Sequence, residues 1–270
     1  MPTRRDVFSA GLATAALLAA QRPRHAAAAA DDPWPALASQ IFEGRRLGDG
    51  SALVAIDAPY RAEDAAIVPI ALRLLAPPPA GRIGKITLVI DQNPSPLAAT
   101  LELGAQSGID RIATRVRVES YTNIHAVAET DADALYATAR FIKASGGCSA
   151  PMSTVTADAI PLGTMRWRLF PPSAEDQAAG LREAEIMVRH PNNSGMQMNQ
   201  LTHLYIPAHF LKLLRIWQGD APLLAVAGGI SLSENPSFRF RFRPQGDAPI
   251  RAEAVDSKDA TFRAEWPLSA

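Results

Sequence analysis

The chain has 270 residues, of which 47% are hydrophobic and 20% charged, with 27 basic side chains against 27 acidic ones. This is the make-up of a folded globular chain with one large domain or two of ordinary size. Its 22 prolines and many short apolar runs exclude an all-helical protein, and its charge balance gives no electrostatic reason to expect nucleic acid or an anionic membrane as partner.

The N-terminus reads as a targeting segment. Thr3-Arg4-Arg5-Asp6-Val7-Phe8 is a twin-arginine pattern, and an uncharged stretch rich in Ala and Leu follows over 7–20. That stretch is too short to span a bilayer comfortably. Ala28-Ala29-Ala30 supplies small residues for cleavage before Asp31. The expectation is a signal peptide over 1–30, a periplasmic protein, and no membrane attachment after cleavage. Removing residues 1–30 takes away four Arg and one Asp and leaves 23 basic against 26 acidic side chains, a net of −3.

After a short helical lead-in at 34–42, stopped by Gly44, Gly48 and Gly50, strand-like runs dominate. They fall at 53–56, 67–75, 83–90, 100–103, 112–118, 124–128 and 135–144, punctuated by proline and polar residues. Seven short strands of this kind predict an antiparallel sandwich. Residues 149–164 are small and polar, with Pro151 and Pro161, and read as a linker. A second strand-rich region follows at 166–170, 184–189, 209–217, 222–227, 238–243, 250–255 and 262–266, with a helical turn at 175–181. Gln218-Gly219-Asp220 marks a hairpin. Phe238-Arg239-Phe240-Arg241-Phe242-Arg243 alternates strictly, which predicts a half-buried strand with a phenylalanine core face and a solvated arginine face.

The chain holds one cysteine, Cys148, in Ser145-Gly146-Gly147-Cys148-Ser149-Ala150-Pro151. Glycines lack a Cβ, so Gly146 and Gly147 predict a thin, flexible and exposed arm. The competing reading is a packed, inert thiol, because free cysteines are often buried. Export favours function, since a lone cysteine in an oxidising compartment cannot form an internal disulfide.

Several runs resemble known families. Ala113-Thr114-Arg115-Val116-Arg117-Val118, Ile124-His125-Ala126-Val127-Ala128-Glu129-Thr130 and Phe141-Ile142-Lys143-Ala144-Ser145-Gly146-Gly147-Cys148 resemble the C-terminal half of SoxY, the periplasmic carrier of the sulfur-oxidation system. His190-Pro191, Ile206-Pro207-Ala208-His209-Phe210 and Ser233-Glu234-Asn235-Pro236-Ser237-Phe238-Arg239-Phe240 resemble its partner subunit SoxZ. The order matches fused SoxYZ-like carriers associated with quinoprotein dehydrogenases. The resemblance implies an all-β chain of two immunoglobulin-like sandwiches, SoxY-like over 31–148 and SoxZ-like over 165–270, paired with each other. It also implies a protein that is not an enzyme and has no cofactor. Cys148 would be the site of covalent substrate attachment, presented to periplasmic redox enzymes. In SoxY the motif ends the chain, whereas here a whole domain follows, so the arm is tethered at both ends.

Other readings compete. His190, Met196, Met198 and His203 lie within fourteen residues and offer copper ligands. A cysteine hydrolase needs a histidine beside the thiol, for which His125, His190, His203 and His209 are candidates, with His125 the first to check. A scaffold for a dehydrogenase, with the thiol dispensable, is the reading from a different class.

Overall fold

Phe238, Phe240 and Phe242 are completely buried, while Arg239 and Arg241 between them face outward into ion pairs with Glu183 and Asp110. Burying each such ring contributes roughly 1.5–3 kcal/mol. The same period-two alternation recurs in other strands, as in 111–116, whereas 122–130 is buried on both faces, with Val127 packed under the helix at 34–41. The protein is described here by a computed structural model over residues 32–151 and 160–268. The expected signal peptide, and residues 152–159 of the expected linker, lie outside the described residues.

The first half contains helix α1 (Trp34–Ile41) and strands β1 (Leu47–Asp49), β2 (Val54–Asp57), β3 (Val68–Leu74), β4 (Ile83–Ile90), β5 (Leu97–Leu103), β6 (Arg111–Val116), β7 (Thr122–Thr130) and β8 (Leu135–Ile142). The second half contains β9 (Met165–Leu169), helix α2 (Ala174–Ala179), β10 (Arg182–Val188), β11 (Leu211–Gln218), β12 (Ala221–Gly228), β13 (Ser237–Phe242), β14 (Ile250–Asp256) and β15 (Thr261–Trp266). The chain is all-β in class, with each half an immunoglobulin-like sandwich and α1 as the helical lead-in.

The strands form two sheets, one of nine strands in the order β1-β8-β7-β4-β5-β12-β11-β14-β15 and one of six in the order β2-β3-β6-β13-β10-β9. Both halves contribute to both sheets. β5 pairs antiparallel with β12 over five residue pairs, Leu103 opposite Leu224 through Ala99 opposite Gly228, and β6 pairs with β13 at Ala113–Arg239 and Ile112–Phe240. The two sandwiches are thus laid edge to edge, and one continuous hydrophobic core draws on residues from Leu53 to Leu268. Pairing edges in this way removes the exposed strand edges that invite aggregation. Gly104 permits the close approach at this seam, because a Cβ there would lie 1.8 Å from the carbonyl oxygen of Pro222.

Two local features depart from the pattern seen in sequence. β1 is a three-residue strand that pairs parallel to β8, and the apolar periodicity of the lead-in does not reveal it. Residues 190–210 form an irregular loop whose Asn192, Asn193, Ser194 and Gln197 are nonetheless buried. Strand β11 begins only after it, two residues later than the apolar run suggests.

Candidate functional site: the docked cysteine loop

The cysteine lies just beyond β8. Lys143 closes the strand by donating its N–H to Tyr60 O at 2.8 Å and accepting from Ala62 N–H at 3.0 Å. The chain then turns through Gly146, whose φ of +79° favours glycine. Gly146 and Gly147 donate their N–H groups to the carbonyls of Glu119 (2.8 Å) and Val118 (3.0 Å). At Gly147 a Cβ would lie 2.0 Å from Ala65 O and 2.7 Å from Val118 O, so no larger residue fits without moving backbone.

Cys148 itself is completely buried. Its N–H donates to Glu119 Oε2 at 2.8 Å, and its carbonyl accepts the hydroxyl of Ser194 from the second half. The Gly147 carbonyl accepts from Arg117 Nη1 at 3.1 Å, and Ala150 N–H returns to Gly146 O at 3.0 Å. The expectation of a flexible, exposed arm is therefore corrected. The glycines serve close packing and a left-handed turn, and the backbone polar groups of 146–148 are all taken by the protein rather than by water.

The surroundings oppose ionisation of the thiol. Burial, then the nearby Glu119 carboxylate and its contact with the thiol, push the Cys148 thiol up to about 12, against the weaker opposing pull of the Arg117 guanidinium. From 9.0 to about 12 the thiolate fraction at neutral pH falls about a thousandfold. In the docked loop Cys148 is a neutral, unreactive thiol.

The wall behind the loop is polar and is built from both halves. Arg117 is buried, and its Nε and Nη2 have no hydrogen-bond partner among the described residues. Burial lowers the pKa of its guanidinium, while the Glu234 and Asp64 carboxylates act in the opposite direction. Asn93 donates from Nδ2 to Arg117 O (2.8 Å) and to Ser231 Oγ (3.0 Å), and its Oδ1 accepts from Glu119 N–H at 2.9 Å. Ser231 and Ser233, from the second half, donate to Ser95 O (2.8 Å) and Ala66 O (2.7 Å). Buried polar groups left unpaired cost about 1–3 kcal/mol each, so this network fixes the two halves in one register around the loop.

The histidines are arranged for other purposes. His125 Nδ1 meets Asp91 Oδ1 at 2.9 Å, and its ring stacks on Trp34 with centroids 3.6 Å apart, so it supports α1 and has no hydrogen bond to the thiol. His190, His209 and Asp256 form a buried cluster whose ligating atoms lie within 4.8 Å of one another. The hydrogen bonding decides against a cation there. His190 Nδ1 accepts the Asn192 N–H at 3.1 Å, which puts the ring proton on Nε2, facing Asp256 Oδ2 at 3.7 Å. A neutral imidazole that binds a metal through Nε2 must carry its proton on Nδ1 instead. The four residues of the competing copper reading are not brought together, since Met198 and His203 are exposed and His190 turns to Asp256 and His209.

Sequence reasoning placed Cys148, Gly146 and Gly147 at one site but missed Glu119, Arg117, Asn93 and Ser194. Arg117 alternates with apolar neighbours as Arg115 does, and nothing in the sequence shows that the cysteine loop folds over it.

Comparison with known proteins agrees with the two-part reading. The family described as "Sulfur oxidation protein SoxY" matches residues 38–148, ending on the cysteine, and "Sulphur oxidation protein SoxZ" matches residues 170–267. No curated protein matches the chain. Among solved structures, the sulfur carrier protein SoxY from Chlorobium limicola f thiosulfatophilum aligns at 22% identity and a TM-score of 0.34, covering 42% of this chain and 91% of that one. With a SoxY region followed by a SoxZ region in a single polypeptide, the chain belongs to the SoxY and SoxZ families as a fused SoxYZ-like protein.

Proposed function

We propose that the protein is a periplasmic sulfur carrier, that Cys148 is its point of covalent attachment, and that the 145–150 loop alternates between the docked state and an open one. The chain is a carrier and not an enzyme. The observation that carries the reading is the position of its single cysteine, at the end of the SoxY region and clasped by Glu119 of one half and Ser194 of the other. The docked state shields the thiol from unspecific oxidation, and opening returns it to water, where its pKa falls to the ordinary thiol range. Because the loop is tethered at both ends, a partner must meet it at the surface as a hairpin of doubled cross-section.

The chemistry requires partners. Joining the Cys148 thiol to a thiol-type sulfur species through an S–S bond releases two protons and two electrons. A redox protein of the sulfur-oxidation or quinoprotein dehydrogenase kind would accept those electrons.

Complementation tests the reading. In a strain lacking the protein, the native chain restores oxidation of reduced sulfur compounds and Cys148→Ser does not. The burial of Cys148 favours one other reading, a scaffold whose thiol is structural. Full rescue by Cys148→Ser would establish the scaffold and overturn the carrier.

A further inference from the structure

The outward face of the six-stranded sheet carries a groove of about 740 Å³ that crosses the seam between the halves. Its rows follow from strand register. Asp57, Ala71, Ala113, Arg239 and Glu185 stand opposite one another across β2, β3, β6, β13 and β10. Ala71 and Ala113 make the middle of this row shallow, and guanidinium groups stand around it. Arg111, Arg115 and Arg140 come from the first half and Arg239 from the second. Against these four cations the groove holds two carboxylates, Asp57 and Glu185.

Much of this positive charge is uncommitted. Asp57 is bound by Arg73 at 2.5 Å, and Arg239 by Glu183 at 2.5 Å. Among the described residues no hydrogen bond or close ion pair engages Arg111 or Arg140, which act on Asp57 only at longer range. Arg115 donates from Nη2 to Asn235 O at 3.0 Å, while its buried Nε has no partner. Guanidinium groups held in this way suit carboxylates, which they bind in a bidentate fork.

We propose that this groove is the docking surface for an acidic, extended segment of the redox protein that exchanges cargo with Cys148. The proposal rests on the carrier reading for the partner's role, and on the groove for the partner's chemistry. Arg111 and Arg115 are four residues apart on one strand, roughly 13 Å, which is too far for one small oxyanion to bridge. An extended chain with carboxylates four residues apart has the matching span. The place is also right. Two residues beyond Arg115 is Arg117, whose Nη1 holds the Gly147 carbonyl, so a partner seated in the groove lies at the root of the cysteine loop. Since Arg239 comes from the second half and the other three from the first, the surface is complete only when the halves are paired.

The test uses the full chain and a fluorescein-labelled hexaglutamate peptide as probe, with anisotropy read at about 50 mM ionic strength to keep screening low. Native protein is expected to bind the probe, and the double variant Arg111→Glu/Arg140→Glu to bind it at least tenfold more weakly. Arg263→Glu, which reverses an exposed charge on β15, is expected to stay within twofold of native. Should the double reversal disturb folding, Arg111→Gln/Arg140→Gln is expected to show a smaller loss in the same direction. Absence of probe binding would overturn the proposal, as would equal losses in Arg263→Glu and the double variant. Displacement of the probe by sulfate at equal ionic strength, where chloride does not displace it, would make the groove a small-oxyanion site and also overturn it. Cys148→Ser is expected to bind the probe like native protein, so the docking result stands or falls separately from the chemistry of the thiol.

Discussion

Ser194, in the second half, donates its hydroxyl to the carbonyl of Cys148, in the first. The cysteine loop is therefore closed by a residue that only the paired partner half provides. Ser194 is itself held, its N–H on Gln197 Oε1 at 2.9 Å and its Oγ accepting from Met196 N–H at 3.1 Å. Removing the hydroxyl leaves the Cys148 carbonyl unpaired at a buried position. Ser194→Ala is expected to ease opening by about 1 kcal/mol, a roughly fivefold faster reaction of Cys148 with iodoacetamide at pH 7.5. Timed alkylation followed by mass spectrometry checks it.

Glu119 is the stronger latch, because it takes the Cys148 N–H and also raises the thiol's pKa. Glu119→Ala removes both effects. Hydrogen bonds to charged groups contribute about 1.5–3 kcal/mol, so alkylation is expected to rise by at least tenfold. In Glu119→Gln an amide oxygen can still accept the N–H while the charge is gone. That variant is expected to keep the loop docked, with a lower apparent thiol pKa, read from the pH dependence of alkylation.

The two glycines are expected to separate in their effects. Gly147→Ala places a methyl against Ala65 O and Val118 O and is expected to drive the loop out, raising thiol reactivity towards that of a free cysteine. Gly146→Ala meets only Ser149 Oγ at 3.9 Å, and its cost is the left-handed backbone alone, about 1 kcal/mol. Comparing thermal melts and alkylation rates of the two variants tests this ordering.

Much of the scaffold is legible in the sequence, and the reason is periodicity. The Phe238–Phe242 alternation predicts a strand buried on one face, and that is how β13 sits. The short apolar runs likewise mark most of the other strands. The pairing of β5 with β12 and of β6 with β13 is not legible, because backbone hydrogen bonds between distant edges leave no pattern in side-chain type. The site divides in the same way. A solitary cysteine after two glycines stands out in any reading, but the glycines' purpose does not. Gly-Gly fits a mobile arm and a tightly packed corner equally well, and only the position of the Ala65 carbonyl decides between them. Glu119 and Ser194, 75 positions apart, meet the same cysteine because the sandwiches are laid edge to edge.

His190 makes stability depend on pH. Burial, then the neighbouring His209, lower its pKa to about 4, against the pull of Asp256, while in the unfolded chain it titrates near 6.5. Between these values the unfolded state holds the extra proton, so stability falls as pH drops from about 6.5 towards 4, by up to about 3 kcal/mol. Burial would raise the pKa of Asp256, but His209 and the N–H groups of Ala260 and Lys258 hold it lowered in the folded state, so Asp256 adds its own loss as pH falls through the ordinary carboxylate pKa and below. Urea denaturation at a series of pH values should show this slope, and His190→Gln should flatten it above pH 4.

The central claim, that Cys148 carries sulfur covalently, is tested most directly by mass. Protein recovered from cells oxidising a reduced sulfur compound, with its thiols protected from exchange during isolation, is measured intact and after proteolysis. The account predicts a fraction heavier by one or more sulfur or sulfur-oxide units, confined to the peptide containing Cys148 and removed by reductant. An unmodified Cys148 peptide under every growth condition that demands the protein would contradict it.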